Sequence, residues 1–318
     1  MKTYIEYDVA NESGKGRFLN RLTQQWDKTG VKWSAKQDGC SARLAVTRFR
    51  TESKLPTAIR IDGSHNEIII PKGADKQRLL KSMKWKNEHC ASCINRSEAV
   101  IWQSEFCKRM GHAIWKIKPS REYVIFNGDD PANWLPRNPQ KRIVLSAHWK
   151  NRPHKRLREM AEIANKYTAE HPEVMFDVLG DVIGEAVHGP NIIYHGRVGL
   201  DVMKKVYSEA AAMLNICYAD WCPNAVVEAL VAGMPVICTA NHGVSEIVGR
   251  SGIVVDIDEP IPKDHFTRAM NKAIRDTKPV YDALDKILYG GAVFPPAEHL
   301  HISRVAEQYA GVFRDISK

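Results

Sequence analysis

The chain has 318 residues, 44% hydrophobic and 26% charged, with a mean hydropathy of −0.37; it is long enough for two domains with real cores, and no apolar run approaches the ~18 residues of a membrane span. Seven scattered cysteines, an odd number, exclude a disulfide framework and fit a reducing cytosol, and the opening "MKTYIEYDVANE" has acids where a signal peptide has its apolar core. The net charge of +9 is uneven: residues 1–140 hold 25 Lys+Arg against 15 Asp+Glu, residues 141–318 hold 21 against 22, so the first half is the one suited to an anionic partner.

In chain order, "TYIEY", "AVTRF", "TAIRI", "AVIWQ" and "EYVIF" are predicted strands of the first half. "GRFLNRLTQQWDKTG" (16–30) has the spacing of an amphipathic helix closed by Gly30. The Pro-rich "PANWLPRNPQ" (131–140) reads as the linker, because proline interrupts both ladders and helices. Beyond it the units alternate. "RIVLSAHW", "EVMFDVLGD", "NIIYHGRV", "AMLNICYA", "MPVICTA" and "GIVVD" read as strands; "KRLREMAEIANKY", "DVMKKVYSEA", "NAVVEALVAG" and "VSEIVG" read as helices between them. Such alternation predicts an α/β fold of parallel sheets with helices on both faces. Ligands of such sheets bind beyond the carboxyl ends of the strands, where Lys150, His195 and Asp220 fall. The tail "ISRVAEQYAGVF" is a last amphipathic helix.

The stretch "ADWCPNAVVEALVAGMPV" (219–236) carries the chemistry. Asp220 falls in the loop after a strand, Pro223 suits the first turn of the next helix, and Glu228 falls about one turn inside it. Two carboxylates thus flank a helix N-terminus, whose unpaired N–H groups attract anions. Acceptors for hydroxyls beside donors for phosphate suit a sugar nucleotide. "HCASC" (89–93) is a lone CxxC with no second pair at ligand spacing, so buried free thiols are expected rather than a zinc site. The chain has no P-loop, and no metal site is expected.

Several ordered segments together resemble the retaining GT-B glycosyltransferases of family four, the "group 1" family. "VIFNGDD" (124–130) resembles that family's segment before the linker, and "HWKNRPHK" (148–155) its phosphate loop. "NIIYHGRV" resembles its base-side strand. "DWCPNAVVEALVAGMPVICTANHGVSEIVG" resembles its Glu-x7-Glu signature and the strand that follows. Two departures stand out: Asp220 replaces the first signature glutamate, and Lys150 (or Arg152) stands for the loop's arginine. Lysine is a point charge without the bidentate fork.

The resemblance implies two Rossmann-like domains facing across a cleft: an acceptor-binding domain over 1–136, rejoined by the helix 302–318, and a nucleotide-sugar domain over 137–301. It implies transfer of a hexosyl or pentosyl group from a UDP- or GDP-linked sugar, with retention and without metal or other cofactor. Glu228 would accept the ribose hydroxyls and Asp220 the sugar hydroxyls; Lys150 and Lys155 would neutralise the diphosphate. Pro223, Asn224, Arg197 and Val198 would line the donor site. Gly14 and Gly16 of "NESGKGRF" resemble the glycine loop near the phosphates. Asp62 and His65 of "RIDGSHNE" are candidates to orient or deprotonate the acceptor hydroxyl. The uneven charge, with Lys and Arg interleaved with Phe and Trp in "TRFRTESK" and "KQRLLKSMKWK", points to an anionic acceptor: a lipid-linked glycan or glycolipid at the membrane surface, alternatively DNA bearing hydroxymethylated bases. A catalytically silent module binding nucleic acid or a partner is the remaining reading.

Overall fold

Among the described residues, twelve strands form two six-stranded, fully parallel sheets. The computed structural model describes residues 1–65, 75–145, 153–180, 182, 186–240, 242–258 and 274–318. The first sheet holds β1 (Lys2–Glu6), β2 (Lys32–Ser34), β3 (Ala42–Val46), β4 (Thr57–Ile61), β5 (Ala99–Trp102) and β6 (Glu122–Val124), in the order β2-β1-β3-β4-β5-β6. The second holds β7 (Gln140–Leu145), β8 (Met175–Leu179), β9 (Ile192–Gly196), β10 (Ala210–Asn215), β11 (Val236–Thr239) and β12 (Gly252–Val255), in the order β12-β11-β10-β7-β8-β9. Strands β3, β4 and β5 are buried at every position, as expected where helices cover both faces of a parallel sheet.

The helices of the first half are α1 (Gly14–Thr29), α2 (Lys76–Asn95) and α3 (Glu105–Trp115). Those that follow are α4 (Leu157–Glu170), α5 (Leu200–Glu209), α6 (Asn224–Val231), α7 (Gly243–Val248), α8 (Lys278–Leu288) and α9 (Ile302–Ile316). Helix α1 buries Phe18, Leu19, Leu22 and Trp26 along one stripe. That stripe meets α9, which packs on the first sheet although it ends the chain. Trp26 lies edge-on to Phe313 at 5.9 Å and donates its indole N–H to the Ala306 carbonyl at 3.0 Å. The final helix is therefore part of the N-terminal core.

Three local expectations change. The strand expected over "AVTRF" lies three residues earlier, at Ala42–Val46, and ends before Thr47, whose φ is 67°. Pro223 is the N-cap of α6 rather than a residue of its first turn; its extended backbone (ψ 126°) lets its carbonyl accept from Val226 and Val227 at 3.1 and 3.3 Å. The stretch "KQRLLKSMKWK" is the first half of α2, a helix whose only buried residues are Met83, Cys90, Cys93 and Ile94. Cys90 and Cys93 are free and buried.

Candidate active site

The strand order of the second sheet reverses between β7 and β10. Chains leaving the carboxyl ends of those strands diverge there and leave a crevice, the usual ligand position in open α/β sheets. Between β7 and α4 the described residues form a 3-10 turn, Pro153–Lys155; after β10 comes the loop to Pro223. Tyr218 N–H bonds the His154 carbonyl at 2.7 Å and the Cys217 thiol bonds that of Lys155 at 3.4 Å, stitching the two segments together. Ala219, at φ 53°, lies in the left-handed region that a non-glycine residue rarely adopts, and this turn presents Asp220 to the crevice.

There the Lys155 ammonium pairs with Asp220 Oδ2, and Asp220 Oδ1 accepts the Trp221 N–H at 2.9 Å. Burial pulls the Asp220 carboxyl upward. The Lys155 charge and hydrogen bond, helped by His154 and the Trp221 amide, outweigh it and hold the group below the usual range.

The first sheet reverses order between β1 and β3, and its crevice meets the same loop from the other side. Gly14 opens α1 there, with its carbonyl accepting from Asn224 Nδ2 at 2.8 Å. A Cβ at Gly14 would stand 3.3 Å from that amide nitrogen, and one at Gly16 would lie 1.8 Å from the Asn11 carbonyl oxygen. Gly16 is thus required by its own loop, whereas a side chain at Gly14 would press on the Asn224 amide. Asn224 Oδ1 accepts from Asn127 at 2.8 Å, and Asn127 Oδ1 accepts from Arg60 at 2.7 Å. Arg60 and Gln103 both donate to Asp62 Oδ1, and Lys15 reaches Asp62 Oδ2 at 3.2 Å and Thr47 Oγ1 at 2.6 Å. A carboxylate with this many donors has its oxygens occupied and holds its neighbours in place.

Glu228 is 4% exposed and pairs with Arg21 of α1. Burial raises its pKa, and Arg21 opposes the rise. His65 stands beside α2. Asn87 bonds its backbone N–H and carbonyl at 3.0 and 2.6 Å, and its ring lines a cavity of about 410 Å³ with Leu80, Met83 and Trp115. Burial and then the charge of Lys86 depress its pKa to about 4, so the imidazole is neutral near pH 7. Arg197 is exposed and pairs with Glu12 at 2.9 Å; Val198 packs on the second sheet's core. Lys150 lies outside the described residues.

The structure thus brings Lys155, Asp220, Pro223, Asn224 and Gly14 together, with Glu228 a turn deeper and Asp62 joined through Arg60 and Asn127. Sequence reasoning missed Lys15, Arg21, Asn127 and Trp221. The Trp221 carbonyl accepts from Ser104 at 2.9 Å, its ring lies 5.5 Å from Phe106, and its indole closes on Gly63, where a Cβ would stand 2.8 Å from Nε1. Gly63 adopts φ 119°, which glycine alone takes without strain. The one available signal was a tryptophan placed inside a signature loop. Among the described residues no group of three or more His, Cys, Asp and Glu side chains could hold a metal ion, and no helix is long and apolar enough to cross a membrane.

Two Rossmann-like sheets meeting at their carboxyl ends define the GT-B fold. Solved structures agree. The chain is similar to sucrose-phosphate synthase from Thermosynechococcus elongatus (TM-score 0.64, 13% identity, 99% of this chain and 98% of that one). It is similar to HepE of Anabaena in complex with UDP and glucose (TM-score 0.58, 13% identity, 99% and 100%), and to AviGT4, a glycosyltransferase involved in avilamycin A biosynthesis (TM-score 0.60, 14% identity, 99% and 97%). Residues 140–276 match the family model "Glycosyl transferases group 1". No curated protein sequence matches. The likeness to solved structures shows the GT-B fold, and the matched segment, under half of the chain, is similar to the group 1 glycosyl transferases.

Proposed function

We propose that the protein moves a sugar from a nucleotide-sugar donor to an acceptor hydroxyl, with retention at the anomeric carbon and without a metal ion. The observation that carries this reading is the Lys155–Asp220 pair at the switch point of the second sheet, beside the N-terminus of α6. In this reading Lys155 and the α6 N-terminus meet the diphosphate and stabilise the charge that grows on it as the glycosidic bond breaks. Asp220 accepts bonds from sugar hydroxyls, and Glu228 from the ribose. The departing phosphate takes the acceptor proton on the same face, which fits an Asp62 already saturated with donors. UDP- and GDP-linked sugars are the donor classes; HepE, of the same fold, was crystallised with UDP-glucose.

The acceptor we infer is anionic, a glycan or glycolipid presented at a membrane surface. The exposed side of α2 supports this: Lys76, Arg78, Lys81 and Lys84 surround Leu80 and Trp85, which are 37% and 57% exposed. One face of Trp85 is stacked on His89 at 5.5 Å, so a flipped or single-stranded base has less ring to stack on, which weighs against DNA.

The test is a thermal-shift screen against UDP- and GDP-sugars, since a ligand that binds only the folded state raises its apparent stability. One donor should raise the melting temperature by several degrees and be consumed slowly, releasing free nucleotide. Stabilisation by none of them, or binding without nucleotide release, would overturn the transferase reading.

A further inference from the structure

The buried Glu228 does not stand alone. Its Oε1 accepts a hydrogen bond from Nη2 of Arg21, a residue of α1 in the other half of the molecule. The same guanidinium is anchored through Nε to Asp129 Oδ1 at 3.2 Å and through Nη1 to the Gly128 carbonyl at 3.5 Å. Asp129 is itself fixed by Trp134 Nε1 at 3.1 Å, by the Asp130 amide at 2.8 Å and by backbone bonds to Leu300 and Ile302 at the base of α9. Arg21 is thus held on two sides by the N-terminal half, and it extends the rest of its fork across the interface. Tyr207 of α5 closes the group, its buried hydroxyl without a hydrogen-bond partner among the described residues.

An ionised carboxylate at this depth is costly without compensation. The charged and titratable groups that face it are Arg21 and Arg17 from α1, Asp129 from the segment after β6, and Tyr207 from α5. Burial and Asp129 favour the neutral acid; Arg21 is the main influence against them. A neutral acid is a weaker acceptor for hydroxyls than a carboxylate, and its own proton competes for the same geometry.

We propose that Arg21 is a positioning residue for the donor: reaching over from the N-terminal half, it keeps Glu228 ionised and aimed, so that the ribose-binding carboxylate is competent only when the two halves are docked. The identity of the ligand rests on the transferase reading above; the ionisation of Glu228 does not. A plain structural salt bridge would predict a loss of stability with no pH signature.

The experiment measures UDP and GDP binding to the full chain by titration calorimetry between about pH 6 and 9, for the wild type, Arg21→Met and Arg21→Lys. Arg21→Met should bind the preferred nucleotide about tenfold more weakly near pH 7, the loss expected for a weakened charged hydrogen bond. The ratio to wild type should close as pH rises and Glu228 ionises again. Arg21→Lys, which keeps the charge, should recover most of the affinity. Wild-type affinity in Arg21→Met, or a deficit that is constant with pH and not relieved by lysine, overturns the proposal. If the wild type binds neither nucleotide, the ligand assignment fails, and infrared spectroscopy decides on Arg21 by itself. A protonated-carboxyl band near pH 7 should appear in Arg21→Met, be absent from the wild type and vanish in Arg21→Met/Glu228→Gln. Absence of that band overturns the positioning role. Should the methionine variant not fold, Arg21→Gln, a donor without charge, takes its place with the same readouts.

Discussion

Replacing Asp220 by Asn tests the centre of the site with almost no change of shape. The side chains of Lys155 and Asp220 are only 14% and 12% exposed. Removing one partner of a buried pair leaves the other charge uncompensated, at a cost of ~3–5 kcal/mol. Asparagine keeps Oδ1, so the 2.9 Å bond from the Trp221 amide survives, and the residual exposure of the lysine places the cost at the lower end, ~3 kcal/mol. At ~2 °C per kcal/mol for a chain of this size, the unliganded variant should melt ~6 °C below the wild type. A diphosphate returns negative charge to Lys155, so saturating UDP or GDP should raise the melting temperature of Asp220→Asn by more than it raises the wild type's. Turnover should move the other way. Sugar hydroxyls lose a charged acceptor worth ~1.5–3 kcal/mol, a fall of roughly 10–100-fold in kcat where the contact tightens in the transition state. The assays are scanning calorimetry with and without nucleotide, and release of nucleotide from the donor sugar. An unchanged melting temperature with full turnover would refute the assignment of both residues. An equal nucleotide shift in the two proteins would remove Lys155 from the phosphate site.

Two further outcomes are expected. Gly63→Ala combines a positive φ with a Cβ 2.8 Å from the Trp221 indole nitrogen; it should cost ~1–3 kcal/mol in urea unfolding and shift tryptophan emission, and a neutral result would mean that the signature loop does not bear on the first sheet. The Lys155–Asp220 pair should also carry an acid signature. The folded pKa of Asp220 lies below its unfolded value, so its stabilisation is present above the unfolded pKa (~3.9) and is lost as pH falls through the folded one. The gap in melting temperature between wild type and Asp220→Asn should therefore narrow below about pH 4, and a gap constant down to acid would contradict the lowered pKa.

What the sequence made legible was whatever repeats locally. Strands buried on both faces appear as short apolar runs, which is why β7, β10 and β11 stood out, and the strand–loop–helix order placed Asp220 and Glu228 correctly around α6. Helix α2 was hidden because it buries so little: with four buried residues in twenty, its exposed first half reads as a basic patch. Strand β2, three residues long, carries too few residues to alternate. The partners of the site were hidden for a different reason. Arg21 and Glu228 are 207 residues apart, Asn224 and Gly14 are 210, and Ser104 and Trp221 are 117. No periodicity spans such separations.

These distant pairs also bear on one departure from the pattern the sequence resembles, the aspartate at position 220. Asp220 is a methylene shorter than the glutamate it replaces, yet it reaches Lys155 because Cys217 and Tyr218 hold the turn Pro153–Lys155 against the loop after β10. On the opposite wall, Ser104, Asn127 and Arg21 of the first half fix the same loop and helix. Asp220 is therefore one part of an interface that both halves build. Asp220→Glu, although it restores the family's residue, enters a turn already closed around the shorter carboxylate.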